Sequence, residues 1–261
     1  MTRQYTDQMR RKVSIPFPPK RIISLVPSQT ELLYDLGLEE SIVGLTKFCI
    51  HPDGLKKRKT IVGGTKNLHF DKIAALQPDL IIGNKEENQR DQIEPLMEQY
   101  PVWMSDISNL EDALEMISSI GQITNKEGTT QDMIEEIEED FADHSMHQQI
   151  KKTAYFIWRQ PYMVAAGGTF IDDMMQRAGF ENVFGNVERY PEVTADDITK
   201  ANPELIFLSS EPYPFKEKHI AELKEICPQA TISLVDGELF SWYGSRLLLS
   251  ASYFAKLQKQ F

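Results

Sequence analysis

The stretch Ser108–Gln149, SNLEDALEMISSIGQITNKEGTTQDMIEEIEEDFADHSMHQQ, decides how the rest of the chain is divided. It has helical periodicity and almost no strand character. Ser108 and Glu111 have the spacing of a capping box, in which a hydroxyl and a carboxylate three residues on satisfy each other's free N–H groups. Ala113, Leu114, Ile117 and Ile120 then recur at helical spacing until Gly121 interrupts. Thr124 and Glu127 predict a second box, after which Met133, Ile137 and Phe141 share one stripe. A continuous helix from Glu127 to His144 would be roughly 25 Å long at ~1.5 Å per residue, enough to bridge two lobes. Its other face carries Asp132, Glu135, Glu136, Glu138, Glu139, Asp140 and Asp143, which reads as solvated surface.

The flanks of this stretch echo each other. Before it stands DKIAALQPDLII (71–82); after it stands DDITKANPELIF (196–207), with Asp, Ile, Pro, an acid, Leu and Ile in register. That pattern suits a short helix, a proline turn and an apolar strand. A second echo pairs ELLYDLGL (31–38) with DMMQRAGF (173–180). Two echoes in the same order predict two similar α/β lobes: a lead over 1–20, an N-terminal lobe over 21–107, connecting helices over 108–150 and a C-terminal lobe over 151–261.

A chain of 261 residues accommodates either one large core or two small lobes. Its formal net charge of −11 argues against nucleic acid or an anionic membrane surface as partner. The two cysteines, Cys49 and Cys227, fall in different halves, which favours free thiols. The apolar runs are strand-sized, so no membrane span is expected. The N-terminal stretch MTRQYTDQMRRKVSIPFPPK has no apolar core of a signal peptide, which predicts a cytoplasmic chain as written. A start further upstream would place it in the periplasm or on a membrane anchor.

Residues 1–20 read as a flexible lead ending in an extended strap, because Pro16, Pro18 and Pro19 oppose helix. RIISLV (21–26) is a buried strand, Ser28 and Glu31 predict a box for the helix that follows, and Gly37 closes it. Strand, tight turn and helix are the signature of an α/β fold, whose ligands gather at strand carboxyl ends. Further strands are expected at 42–45, 80–82, 102–104, 153–158, 163–166, 205–208 and 232–235. Thr169 with Asp172, and Thr194, predict helix caps in the second half.

Catalytic signatures such as the P-loop, G-x-G-x-x-G, G-x-S-x-G and H-E-x-x-H do not occur. Ser28 at a strand-to-helix turn is accounted for by capping rather than nucleophilic chemistry. His144 and His147 stand three apart, a metal-holding spacing, but a polar helix end explains them better. His51, His69 and His219 do not complete an evident metal set. The aromatics are more informative: Phe48, Trp158, Tyr162, Phe170, Tyr190, Tyr213, Phe215, Phe240, Trp242 and Tyr243 fall in or beside predicted loops. About half are expected to be ordinary packing. The rest, with neighbouring Arg159, Arg189 and Arg246, suit an aromatic slot for a broad, partly flat ligand.

RIISLVPSQTELL (21–33), QPDLII (77–82) and IWRQPYM (157–163), in this order, resemble the cobalamin- and siderophore-binding proteins of ABC importers, the class III binding proteins with a helical backbone. The resemblance runs from about residue 13 to the C-terminus. It implies two Rossmann-like α/β lobes joined by a long helix, with a tetrapyrrole or metal chelate held in a cleft between them. Contacts implied by position are Phe48, Asn84, Trp158, Arg159, Tyr190, Tyr213 and Trp242; Tyr162 and Tyr243 join them from the aromatic pattern. Cobalamin-type relatives dock on a permease through one glutamate per lobe. Those positions here hold Arg90 and Ser241, while Glu86, Glu87 and Glu238 lie close by and become the docking candidates.

The favoured reading is therefore a monomeric binding protein for a corrinoid or other metal chelate, with no intrinsic cofactor, no enzymatic activity and an ABC permease as candidate partner. A direct metal-ion receptor and an intracellular tetrapyrrole- or chelate-handling protein or enzyme stay open beside it.

Overall fold

The computed structural model describes residues 1–143 and 150–261, so His144 and His147 lie outside the described residues. The backbone divides into two units. The first comprises Met1–Ile107, Glu111–Glu136 and Tyr243–Arg246; the second comprises Ser108–Leu110, Ile137–Trp242 and Leu247–Phe261.

The first half of the chain runs β1 (Thr2–Thr6), β2 (Lys12–Pro16), β3 (Ile22–Ser24), α1 (Pro27–Asp35), β4 (Ile42–Leu45), α2 (Leu55–Arg58) and β5 (Thr60–Ile61). It continues with α3 (Phe70–Leu76), β6 (Leu80–Asn84), α4 (Arg90–Met97), β7 (Val102–Ser105), α5 (Leu110–Thr124) and α6 (Glu127–Asp143). β5-β4-β3-β6-β7 form one all-parallel sheet. Its central strands are continuous apolar runs because both faces are covered: Ile22, Ile23, Leu80, Ile81 and Ile82 are fully buried.

Residues 1–20 differ from the expected flexible lead. β1 and β2 pair as an antiparallel hairpin whose turn is tied to β7. Gln8 N donates to Met104 O (3.1 Å), Asp106 N to Gln8 Oε1 (3.1 Å), and Arg11 Nη2 to Val102 O (3.1 Å). The hairpin thus satisfies part of an otherwise open sheet edge, the physical reason for its order.

Two predicted boxes also differ. α1 begins at Pro27 with Val26 as N-cap and no side-chain cap. Proline at the first helical position needs none for its own nitrogen, and Glu31 instead accepts two bonds from Arg246, Nε at 2.8 Å and Nη2 at 2.6 Å. Thr124 lies inside the last turn of α5, where its hydroxyl donates to Ile120 O (2.6 Å). Asn125, at φ +61°, breaks the chain direction before α6 starts. Close packing of α5 on α6 depends on Gly121, since a Cβ there would sit 2.0 Å from Thr130 Oγ1.

The second half runs β8 (Lys151–Trp158), β9 (Tyr162–Ala165), α7 (Phe170–Arg177), β10 (Phe180–Asn182), β11 (Glu192–Val193), α8 (Ala195–Ala201), β12 (Leu205–Ser209), α9 (Glu217–Ile226), β13 (Thr231–Val235), α10 (Glu238–Ser241) and α11 (Leu247–Gln260). The sheet order is β11-β9-β8-β12-β13, with β10 also on β8. β8, β10, β12 and β13 are parallel, while β9 and β11 join antiparallel as an edge. Thr169 and Thr194 cap α7 and α8 as predicted, the latter with a full box to Asp197.

Both sequence echoes are conformational repeats. α3 ends at Gln77 (φ +44°, ψ +62°) and α8 at Asn202 (φ +47°, ψ +57°), each followed by proline and then a strand. The acid after each proline repeats its bonds: Asp79 N donates to Arg21 O and Glu204 N to Lys152 O, while their carboxylates accept from Arg21 N and Lys152 N. α1 and α7 likewise close on Gly37 (φ +71°) and Gly179 (φ +76°), conformations favouring glycine.

Cys49 and Cys227 are free and buried. Among the described residues no helix is long and apolar enough to cross a membrane.

Candidate functional site

Ligands of parallel α/β sheets gather past the strand carboxyl ends, and in each unit a large exposed aromatic stands there. In the first unit it is Phe48, three residues past β4 and 49% exposed. Its ring lies under the Lys47 ammonium (4.9 Å) and against Gly64, where a Cβ would approach the ring to 3.2 Å. In the second unit it is Trp158, the last residue of β8 and 40% exposed. A register shift between Phe156 and Trp158 turns the end of β8, as bulges do where a side chain is re-aimed.

Around Trp158 the second unit gathers a polar cluster from three places in the chain. Arg159 Nε donates to both oxygens of Glu222 on α9 (2.9 and 3.2 Å), and Tyr162 Oη donates to the same carboxylate. Tyr213 meets Trp158 edge-on at 5.7 Å and Phe215 at 4.8 Å. The Tyr162 bond holds the Glu222 carboxyl below its ordinary range; burial opposes it and Arg159 adds to it. The Glu222 carboxylate in turn holds Arg159 firmly protonated, while burial and Glu222 push the Tyr162 phenol up. Tyr190 is half-buried, with the Arg189 guanidinium 5.8 Å above its ring.

Other implied contacts are committed within their own units. Asn84 is 2% exposed: Nδ2 donates to Ser105 Oγ (3.0 Å), while Oδ1 accepts from Glu86 N (2.8 Å) and Glu87 N (3.1 Å). Its side chain shapes the turn carrying those glutamates. Trp242 is buried and donates Nε1 to Glu211 Oε1 (2.8 Å); Tyr243 is buried in the first unit. Of the ten loop aromatics, Phe170, Phe215, Phe240, Trp242 and Tyr243 are buried, and the other five keep exposed surface.

Glu86 is exposed and Glu87 and Glu238 are half-buried. Arg90 pairs with Glu94, and the Ser241 hydroxyl donates to Glu211 Oε1 (2.6 Å). Glu211, a residue without a sequence signal, thus anchors the 241–242 segment. The approach is close: a Cβ at Gly237 would lie 2.2 Å from Ser209 Oγ and 2.9 Å from Glu211 Cγ.

Burial foremost, with Glu238 and Asp236 nearby, raises the Glu211 carboxyl above its ordinary 4.5, against the bonds from Ser241 and Trp242. A carboxyl raised in the folded state binds its proton more tightly there. Its stabilising effect is full below about pH 4.5 and is lost as pH rises through the folded value. Glu211→Gln keeps an acceptor for both donors without the charge. Thermal melts across pH should therefore show the variant gaining on the wild type near neutral pH and the gain vanishing in acid. A gain that grows in acid would contradict the linkage.

A family model described as periplasmic binding protein matches residues 22–226. The vitamin B12-binding protein of Vibrio parahaemolyticus is 27% identical over 197 residues, covering 74% of this chain and 71% of that protein. Among solved structures, the periplasmic vitamin B12 binding protein of Vibrio cholerae superposes with a TM-score of 0.80 at 20% identity, covering 94% of this chain and 100% of the other. The molybdate periplasmic binding protein of Haemophilus influenzae gives 0.81 at 15% identity, covering 99% and 91%. At those identities the two structures establish likeness of fold.

Proposed function

The chain belongs to the periplasmic binding protein family, and from that premise we propose that it captures a corrinoid or another flat metal chelate for an ABC importer. The observation that carries this reading is the pair Phe48 and Trp158, each a large exposed aromatic at a strand carboxyl end of its own unit. Aromatic faces with a few convergent polar groups suit broad, partly apolar ligands. Trp158 has such groups in Arg159, Tyr162 and Tyr213, and Tyr190 is placed with them by this reading. The vitamin B12-binding relative adds support for the ligand class.

In this reading the ligand is a transported substrate, and the protein needs no cofactor or catalytic group of its own. Glu86, Glu87 and Glu238 are the proposed contacts to the permease. The proposed place of work is outside the cytoplasmic membrane, as the family name implies; cell fractionation that finds the native protein only in the cytoplasm would overturn it.

Absorbance titrations of the purified protein with cyanocobalamin, haemin, a ferric hydroxamate siderophore, molybdate and divalent metal salts test the ligand class. One of the three chelates is expected to give a saturable, reversible spectral change. Saturable binding of molybdate or a bare metal ion alone would replace the reading with an ion receptor. Chemical conversion of a bound chelate would replace it with an enzyme.

A further inference from the structure

We propose that His219 on α9 is a positioning residue that turns the Tyr213 hydroxyl outward, as a hydrogen-bond donor to a carbonyl or carboxylate oxygen on the ligand. The ligand part rests on the binding reading above; the proton placement does not.

His219 is 4% exposed, and its ring packs against Tyr213 (5.5 Å) and Phe215 (5.5 Å). Lys216 N donates to Nδ1 at 2.9 Å. A nitrogen that accepts a backbone N–H carries no proton, so in the neutral imidazole the proton is on Nε2. Nε2 stands 3.4 Å from Tyr213 Oη, which makes the phenol oxygen the acceptor of that contact. Nε2–H approaches the phenol oxygen, so the phenol's own proton does not have His219 as its recipient. It is left for another direction.

The chemistry this hydroxyl offers is accordingly that of a donor. Arg159 Nε is occupied by Glu222, which fixes the guanidinium plane, and the Tyr213 ring lies edge-on to the exposed Trp158 indole. A flat ligand resting on the indole would find an O–H donor at its margin. It would be favoured if that margin bears a carbonyl or carboxylate, and disfavoured if it bears only N–H groups. A site that hydrogen-bonds one partner leaves its polar groups unpaired against another.

The surrounding charges keep His219 in the required form. Burial lowers its pKa below the ordinary 6.5; Lys218, Arg159 and Lys216 act in the same direction, and Glu222 alone opposes. Protonation would also place a hydrogen on Nδ1, facing the Lys216 N–H. The donor arrangement is thus intact at neutral pH and fails in acid.

Long-range ¹⁵N–¹H spectra of the ligand-free protein should show His219 protonated on Nε2 alone; a proton on Nδ1 overturns the proposal. With cyanocobalamin as probe, titrated from about pH 8 to about pH 5, wild-type affinity should be flat near neutrality and fall in acid. His219→Gln, whose amide can donate like Nε2–H, should bind as the wild type does at neutral pH and lose the acid fall. His219→Leu should weaken binding about tenfold at neutral pH, yet change nothing further in a Tyr213→Phe background. Additive losses, or a His219→Leu affinity equal to wild type, would sink the idea, with melting temperatures confirming that each variant folds. Wild-type protein that binds none of the chelates would remove the binding reading, and the ¹⁵N spectra would then decide the proton placement by themselves.

Discussion

Replacing Trp158 with alanine is expected to weaken chelate binding roughly thirtyfold, about 2 kcal/mol, while leaving the melting temperature nearly unchanged. The indole is 40% exposed, so the folded unit gives up little packing when it is removed. A bound macrocycle, in contrast, would cover that surface, and aromatics desolvated at the centre of a site commonly carry much of the affinity. Trp242→Ala should behave oppositely. Its indole is 6% exposed and bonded to Glu211, so truncation leaves a cavity and removes a donor from a buried carboxylate, lowering stability by about 3 kcal/mol. Isothermal titration and thermal melts on the same two variants separate these outcomes. If Trp158→Ala melts early and binds normally, its ring is packing and the site has been misplaced.

Arg246→Ala should destabilise the protein by about 3 kcal/mol in urea titrations. The guanidinium and the Glu31 carboxylate meet through two bonds, and their side chains are only 12% and 15% exposed. Removing one partner leaves the other charge poorly solvated. It also removes the cation that offsets Asp35, whose carboxyl is raised chiefly by burial and further by Glu31. The double replacement Glu31→Gln, Arg246→Met should recover most of the loss, because neither member of the pair is left without the other and the Glu31 charge that raises Asp35 goes too. Losses that simply add would show that the pair contributes nothing as a pair.

The parts of this fold legible in the sequence are those specified by neighbours. Gln77-Pro78 and Asn202-Pro203 announce the same stop, since proline cannot continue a helix and a left-handed residue can end one. Thr194 finds its capping partner three residues away. Two of the failures have distant partners. Glu31 has the right spacing for Ser28, yet an arginine 215 positions on offers a bidentate bond, and the helix start loses the competition. The prolines of the lead argue for an open strap, but the free edge of β7 recruits the hairpin.

At the candidate site the same division holds. Phe48 and Trp158 are conspicuous as large aromatics at strand ends. Asn84 is conspicuous too, and its turn bonds to Glu86 N and Glu87 N are local, but its burial cannot be inferred without knowing where Ser105 lies. His219, Glu222 and Glu211 look like ordinary polar surface in KEKHIAELKEI (216–226) and SSEPYP (209–214). Their roles depend on groups as far as 63 residues away, at Arg159 for Glu222.

The segment Tyr243–Arg246 belongs to the first unit although the chain reaches it only after the last residue of the second unit's main span, Trp242. Gly244, at φ +123°, brings this segment against α1, where a Cβ would lie 3.2 Å from Ser28 O. A ribosome therefore emits the first unit's final piece late. Nascent chains that stop short of Arg246 hold Glu31 without its cation, so the unit begun first is completed only after the second unit's main span has been made.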